Sequence, residues 1–252
     1  MPSPPKTRIN KPTHNQRYPL GEIPEDIITA IGRQIIHRLA IGRDDIGGDD
    51  FGDIFAEAVG GEHANIPEGL ADVSWNGCAW SVKTVKTNAP FTAPHVRLIS
   101  GRNSPAYSKG IHNPFEDLKE TGAAVLEIWN ERVKQARHEY SGSLRIFVMI
   151  RSMERLEFTL FEEEAELFVP RNYKWTLNKN NNLEGHAGDQ HLFTWQPHGG
   201  QFTILRNVPA SAVHFKLKRP QIISSQCVLD KIGYRNDWVT IIKPPHNQKD
   251  KA

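Results

Sequence analysis

The residues best equipped for chemistry in this chain flank Asn76-Gly77. Asn-Gly is the strongest two-residue hairpin signal in a sequence, because both central positions of a type I′ turn need positive φ. With these two as the loop, Trp75 faces Cys78, Ser74 faces Ala79, Val73 faces Trp80 and Asp72 faces Ser81. Opposed residues share a side and successive residues alternate, so Asp72, Ser81 and Lys83 project from one face. Val73, Trp75, Cys78, Trp80 and Val82 project from the other. A carboxylate, a hydroxyl and an ammonium on one face can hold a cation, orient a water or carry a proton. The plain alternative is a cross-strand salt bridge on a solvated face. Context argues for more: the Lys83 strand follows a helix with an acidic flank (Asp50, Asp53, Glu57) and precedes a long polar stretch. An Asp and a Lys withdrawn from water each cost several kcal/mol unless paired, so their joint placement needs a reason.

The elements that must position these groups follow from hydrophobic periodicity. Ile27, Ile28, Ile31, Ile35 and Leu39 form a helical stripe after Pro24, stopped by Gly42. Phe51, Ile54, Phe55, Ala58 and Val59 share the face of a second helix over 49–59, ended by Gly60-Gly61. Strands are predicted at 70–75 and 78–86, and 87–114 reads as a long surface loop with a short strand at 95–99. Leu118, Val125, Leu126, Trp129, Val133 and Ala136 mark a helix over 115–138, closed by Ser141-Gly142. Further strands are predicted at 144–150, 156–161, 166–169, 173–177, 191–195, 201–205 and 212–217. This order implies an α/β (α+β) fold, a central mixed β-sheet flanked by helices with a β-rich C-terminal portion. Residues 1–23 read as a flexible basic arm outside the core, 24–243 as one domain and 244–252 as a tail.

Composition limits the partners. Of 252 residues, 38% are hydrophobic and 24% charged, and no apolar run approaches the roughly 20 residues a bilayer span needs, so no membrane role is expected. Residues 1–20 carry Lys6, Arg8, Lys11 and Arg17 without an apolar stretch, which does not read as a secretory signal; a cytoplasmic location is expected. Two cysteines are too few for a disulfide framework or a zinc half-site. The net charge of +2 neither demands nor excludes a polyanion. Acids gather at 44–57 and 154–166, and Glu162-Glu163-Glu164 reads as a solvated run that would repel DNA, whereas 171–219 leans basic.

A helix bearing Glu57, then Gly-Leu-Ala-Asp72-Val, an Asn-Gly turn and Trp-Ser81-Val-Lys83 resembles the PD-(D/E)xK nuclease superfamily, the fold of many type II restriction endonucleases. The resemblance covers about residues 48–86, with the 115–138 helix following in the expected order, within a catalytic core of about 48–150. It implies that Asp72 binds a divalent metal, that Lys83 orients the attacking water, and that Glu57 matches the first-helix glutamate of many members. The chain departs from the pattern at Ser81, which stands where a second acid is expected. Glu57 is then the carboxylate to replace it, with Glu62 and Glu127 behind it. Hard oxygens from Asp72, Glu57 and the Val82 carbonyl suit Mg²⁺, with Ser81 placed to hydrogen-bond a metal-bound water.

Two regions carry groups suited to DNA. The 100–110 stretch offers Arg102, Asn103, Ser104 and Lys109 for base edges or phosphates. The 171–217 stretch offers Arg171, Lys174, His198 and Gln201 among aromatic residues. The implied activity is Mg²⁺-dependent, sequence-specific cleavage of double-stranded DNA by a homodimer. The alternatives are a repair or structure-specific nuclease, and a non-catalytic DNA-binding protein on a degenerate nuclease fold.

Overall fold

The computed structural model describes residues 17–64, 69–140 and 143–242. The chain has an α+β architecture built on two sheets. Helices α1 (Glu25–Ala40) and α2 (Gly48–Val59) arise where the apolar stripes predict them. Strands β1 (Glu62–His63), β2 (Val73–Trp75) and β3 (Cys78–Lys86) follow as an antiparallel meander. Asn76 at φ 44° and Gly77 at φ 82° make the expected tight turn, and the register is the one the turn dictates: Val73 opposite Trp80, Trp75 opposite Cys78.

A mixed six-stranded sheet runs β1-β2-β3-β5-β6-β11, completed by β5 (Ser143–Ser152), β6 (Glu157–Glu164) and β11 (Val213–Lys216). Its β3–β5 pair is parallel, so the chain must cross over between them. The crossover holds β4 (His95–Arg102), α3 (Pro105–Lys109) and α4 (Leu118–Glu139). β4 leaves the first sheet and becomes the edge of a second, antiparallel one, ordered β4-β10-β9-β8-β7. The other members are β7 (Lys174–Leu177), β8 (Leu183–Ala187), β9 (Gln190–Gln196) and β10 (Gln201–Asn207). The six-stranded sheet is therefore buried on both faces. Val73, Cys78, Trp80, Val82 and Phe147 pack under α1 and α2, while Ala79, Leu144, Ile146 and Val148 pack under α4 and the second sheet.

Several expectations are corrected. The predicted 87–114 loop is mostly structured: β4 alternates exposed and buried residues from His95 to Ser100 and runs on to Arg102, and α3 follows. α4 begins three residues later than predicted because Asp117 caps it, accepting from the Lys119 and Glu120 N–H groups at 2.8 and 2.9 Å. The 166–169 segment is not a strand. Its backbone bonds to α4 side chains instead: Trp129 Nε1 donates to Glu166 O, and Asn130 both donates to Phe168 O and accepts from Phe168 N. β8, with Gly185 inside it, and the short helix α5 (Ser225–Lys231) were not expected.

The basic arm ends earlier than expected, since Tyr18 and Ile23 are core residues; residues 1–16, Ser141-Gly142, Lys243 and the 244–252 tail lie outside the described residues. The acidic run is also reassigned. Glu162 is buried against Arg145 at 3.1 Å and also accepts from Tyr18 Oη, Trp80 Nε1 and Gly21 N. Glu163 pairs with Arg206 at 2.8 Å, and burial raises its pKa although Arg206 opposes the shift. Only Glu164 remains on the surface.

Candidate active site

Asp72 stands one residue before β2, its backbone fixed on both sides: its N–H donates to Trp80 O and its carbonyl accepts from Ala64 N, both at 2.8 Å. β2 starts too late in the chain to satisfy the Val82 N–H of β3, so the Asp72 carboxylate does it. Val82 N donates to Asp72 Oδ2 at 2.7 Å. Lys83 Nζ and Ser81 Oγ donate to the same oxygen at 3.2 and 3.3 Å. All three bonds end on Oδ2, and Oδ1 takes none of them. Lys83 Nζ also donates to Val82 O at 3.2 Å. The expected convergence of Asp72, Ser81, Val82 and Lys83 is therefore present, with Ser81 buried and the Asp72 and Lys83 side chains 32% and 21% exposed.

Glu57 does not join them. It lies on α2, in the layer covering the opposite face of the sheet, where Gln34 of α1 donates to its carboxylate. A helix periodicity fixes which residues share a flank but not which neighbour the flank meets, and here the acidic flank meets α1. The reserve acids are also elsewhere: Glu127 pairs with Lys109 at 3.4 Å, and Glu62 is exposed on β1 opposite Ser74. Among the described residues no group of three or more His, Cys, Asp or Glu is placed to hold a metal ion. The hard oxygens at hand are Asp72 Oδ1 and Val82 O. Mg²⁺ keeps several waters and binds through one or two carboxylates plus phosphate oxygens, so the donor set fits it in its one-carboxylate form.

The residues expected to read DNA fall into different environments. Asn103 is fully buried: it donates to Val125 O at 2.9 Å and accepts from Arg132, while its backbone carbonyl takes Trp195 Nε1 at 2.8 Å. It braces β4 against α4 and β9 and is not free for a base. Ser104 caps α3 through Tyr107 N at 3.3 Å. Lys109 is held by Glu131 at 2.7 Å, a hydrogen bond that raises its pKa. Arg102 and His198 are exposed, and Arg102 lies opposite Gln201 in the β4–β10 register. Lys174, opposite His186, occupies the other end of the second sheet. Arg171 precedes it, so these two do not share a surface with Arg102 and Gln201.

One residue near the pair is not among those that the sequence motifs single out. Arg132 of α4 is mostly buried; burial lowers its pKa while the negative charge of Asp72 acts in the opposite direction. A signal existed: Ile128, Arg132 and Ala136 recur every four residues, so a cation interrupts the inward-facing stripe of α4. No protein-family model matches the chain, and neither curated proteins nor solved structures include a significant match to it.

Proposed function

We propose that the protein is a Mg²⁺-dependent, sequence-specific double-stranded DNA endonuclease of the type II restriction class. The observation that carries this is the junction of Asp72, Val82 and Lys83 at the β2–β3 hairpin, a carboxylate and a carbonyl oxygen beside a lysine. Asp72 Oδ1 and Val82 O would hold the ion, which when bound would polarise the scissile phosphate and acidify a water. Lys83, already tethered to both oxygens' residues, orients that water for in-line attack. Ser81 holds the Asp72 carboxylate in place. The β4–α3 end of the molecule, with the exposed Arg102 and His198 and the half-buried Gln201, offers groups for base edges. A homodimer is the assembly that suits a palindromic site, and the exposed apolar side chains Ile222, Trp238, Val239, Ile241 and Ile242 are the surface a second copy would cover. The cytoplasm is the implied compartment, and no helix among the described residues is long and apolar enough to cross a membrane.

A second reading, a DNA-binding protein without catalysis, is favoured by one observation: among the described residues, Ser81 and the distant Glu57 leave Asp72 as the sole carboxylate at the junction. Digestion of DNA of known sequence with Mg²⁺, with fragment ends mapped, separates the possibilities. Discrete fragments are expected; lesion-dependent nicking would indicate a repair nuclease, and binding without cutting the non-catalytic protein. Asp72→Asn and Lys83→Met should each lower the cleavage rate at least about 100-fold. Normal cutting by either variant removes the assignment. Asparagine is the better probe because it retains an oxygen for Val82 N.

A further inference from the structure

We infer, resting on the nuclease reading, that Arg132 is the residue that grips a backbone phosphodiester of the substrate and sets it against the Asp72–Lys83 pair. Two adjoining cavities flank this side chain. One, of about 260 Å³, is bounded by Gly69, Leu70 and Ala71 just ahead of Asp72. The other, of about 690 Å³, is bounded by Gly101, Arg102 and Ser108 at the end of β4. Arg132 and Gln135 line both. The guanidinium thus stands between the catalytic hairpin and the exposed Arg102, where a strand running from one to the other must pass.

Arg132 is held for such contact without being used up by it. Nη1 donates to Ser100 O at 3.0 Å and to Asn103 Oδ1 at 3.3 Å, while Nε and Nη2 donate to none of the described residues. The chain makes room at Gly101, whose φ of 99° suits glycine and where a Cβ would lie 2.6 Å from Nη1. A fork fixed on one side with donors remaining on the other is suited to two phosphate oxygens. Net charge is balanced here, since Lys83 offsets Asp72 while Arg132 and Arg102 stand against Glu131 and Glu139 in the cavity walls, so it is the geometry of the fork that favours an anion. Burial also strengthens the interaction relative to an exposed arginine.

The test is equilibrium binding of a duplex oligonucleotide across a salt series without metal, followed by cleavage with Mg²⁺, for wild type, Arg132→Gln and Arg132→Lys. Arg132→Gln should bind roughly 10-fold more weakly, with the slope of log K against log salt reduced in magnitude by about 0.9, one phosphate contact fewer. Arg132→Lys should keep the wild-type slope but cut at least about 10-fold more slowly, since it keeps the charge and loses the fork. Should Arg132→Gln lose its cooperative melt, the lysine variant decides alone. An unchanged slope in a folded Arg132→Gln protein, or wild-type cutting by Arg132→Lys, overturns the role of Arg132 and leaves the nuclease reading intact. Wild type that binds duplex and never cuts removes the nuclease reading, and Arg132 is then judged by the slope. Wild type that binds no duplex removes both.

Discussion

Two of the acid–cation pairs on the six-stranded sheet differ in almost every respect. Glu162 and Arg145 are 0% and 3% exposed, and both carboxylate oxygens are occupied: Trp80, Tyr18 and Arg145 reach Oε1, and Gly21 and Arg145 reach Oε2. Arg145 in turn donates to the Tyr18 carbonyl at 3.0 Å and lies over its ring. Asp72 and Lys83 are part-exposed, concentrate three hydrogen bonds on one oxygen and adjoin open space. A saturated, sealed pair can only hold structure together. A pair with a spare oxygen and access to solvent can bind something further.

The comparison breaks if the two sites respond alike to mutation. The largest expected effect is on Glu162→Ala, which strands Arg145 in the core and should cost about 3–5 kcal/mol. At roughly 2–4 °C per kcal/mol for a chain of this size, the melting temperature should fall by on the order of 10 °C in calorimetry. Asp72→Asn should instead move the melting temperature little, because a part-exposed pair is worth about 1 kcal/mol or less, while its loss falls on cleavage. Equal destabilisation by both substitutions would erase the distinction.

The sealed site can also be probed by pH. Burial, reinforced by Glu162, pushes the Tyr18 hydroxyl above its ordinary value of 10.0. Above that value the unfolded chain releases the tyrosine proton while the folded chain retains it, so the unfolded state binds fewer protons and stability falls as pH rises. The stabilisation is complete below pH 10 and declines above it by up to about 1.4 kcal/mol per pH unit. Tyr18→Phe should flatten the alkaline decline in melting temperature relative to wild type between pH 10 and 11.5; parallel curves would show that the hydroxyl is not held as described. The smallest effect is expected at the turn: Gly77→Ala forces a side chain to φ 82° and should cost about 1 kcal/mol in denaturant titration.

What the sequence revealed divides along the same lines. The Asp72–Lys83 site is legible because a two-residue turn fixes the pairing of its neighbours, and alternation then fixes the face. Nothing comparable announces the Glu162 cluster, whose donors come from positions up to 144 residues away. Three adjacent glutamates look solvated until a β5 arginine and an N-terminal tyrosine are brought to one of them. Glu57 differs from its expected place for a related reason: its helix flank is local information, but its apposition to α1 is tertiary. Asn103 shows the converse, a polar residue in a polar stretch whose partners, Val125, Arg132 and Trp195, lie on α4 and β9. The apolar stripe locates helix α4 to within a few residues, yet the arginine inside that stripe gives no apolar signal, and its burial comes from the strands packed against the helix.

The excursion of β4 has a practical corollary for anyone dissecting the molecule. Among the described residues its one ladder partner is β10, with Arg97 opposite Leu205 and His95 opposite Asn207, so the whole of residues 103–200 separates the two halves of one ladder. A fragment cut off after Ser152 would retain the whole hairpin of Asp72 and Lys83 but leave β4 with a bare row of amides and carbonyls, a template for intermolecular stacking. Expression of such a fragment should yield insoluble material, and coexpressing the remainder should rescue it.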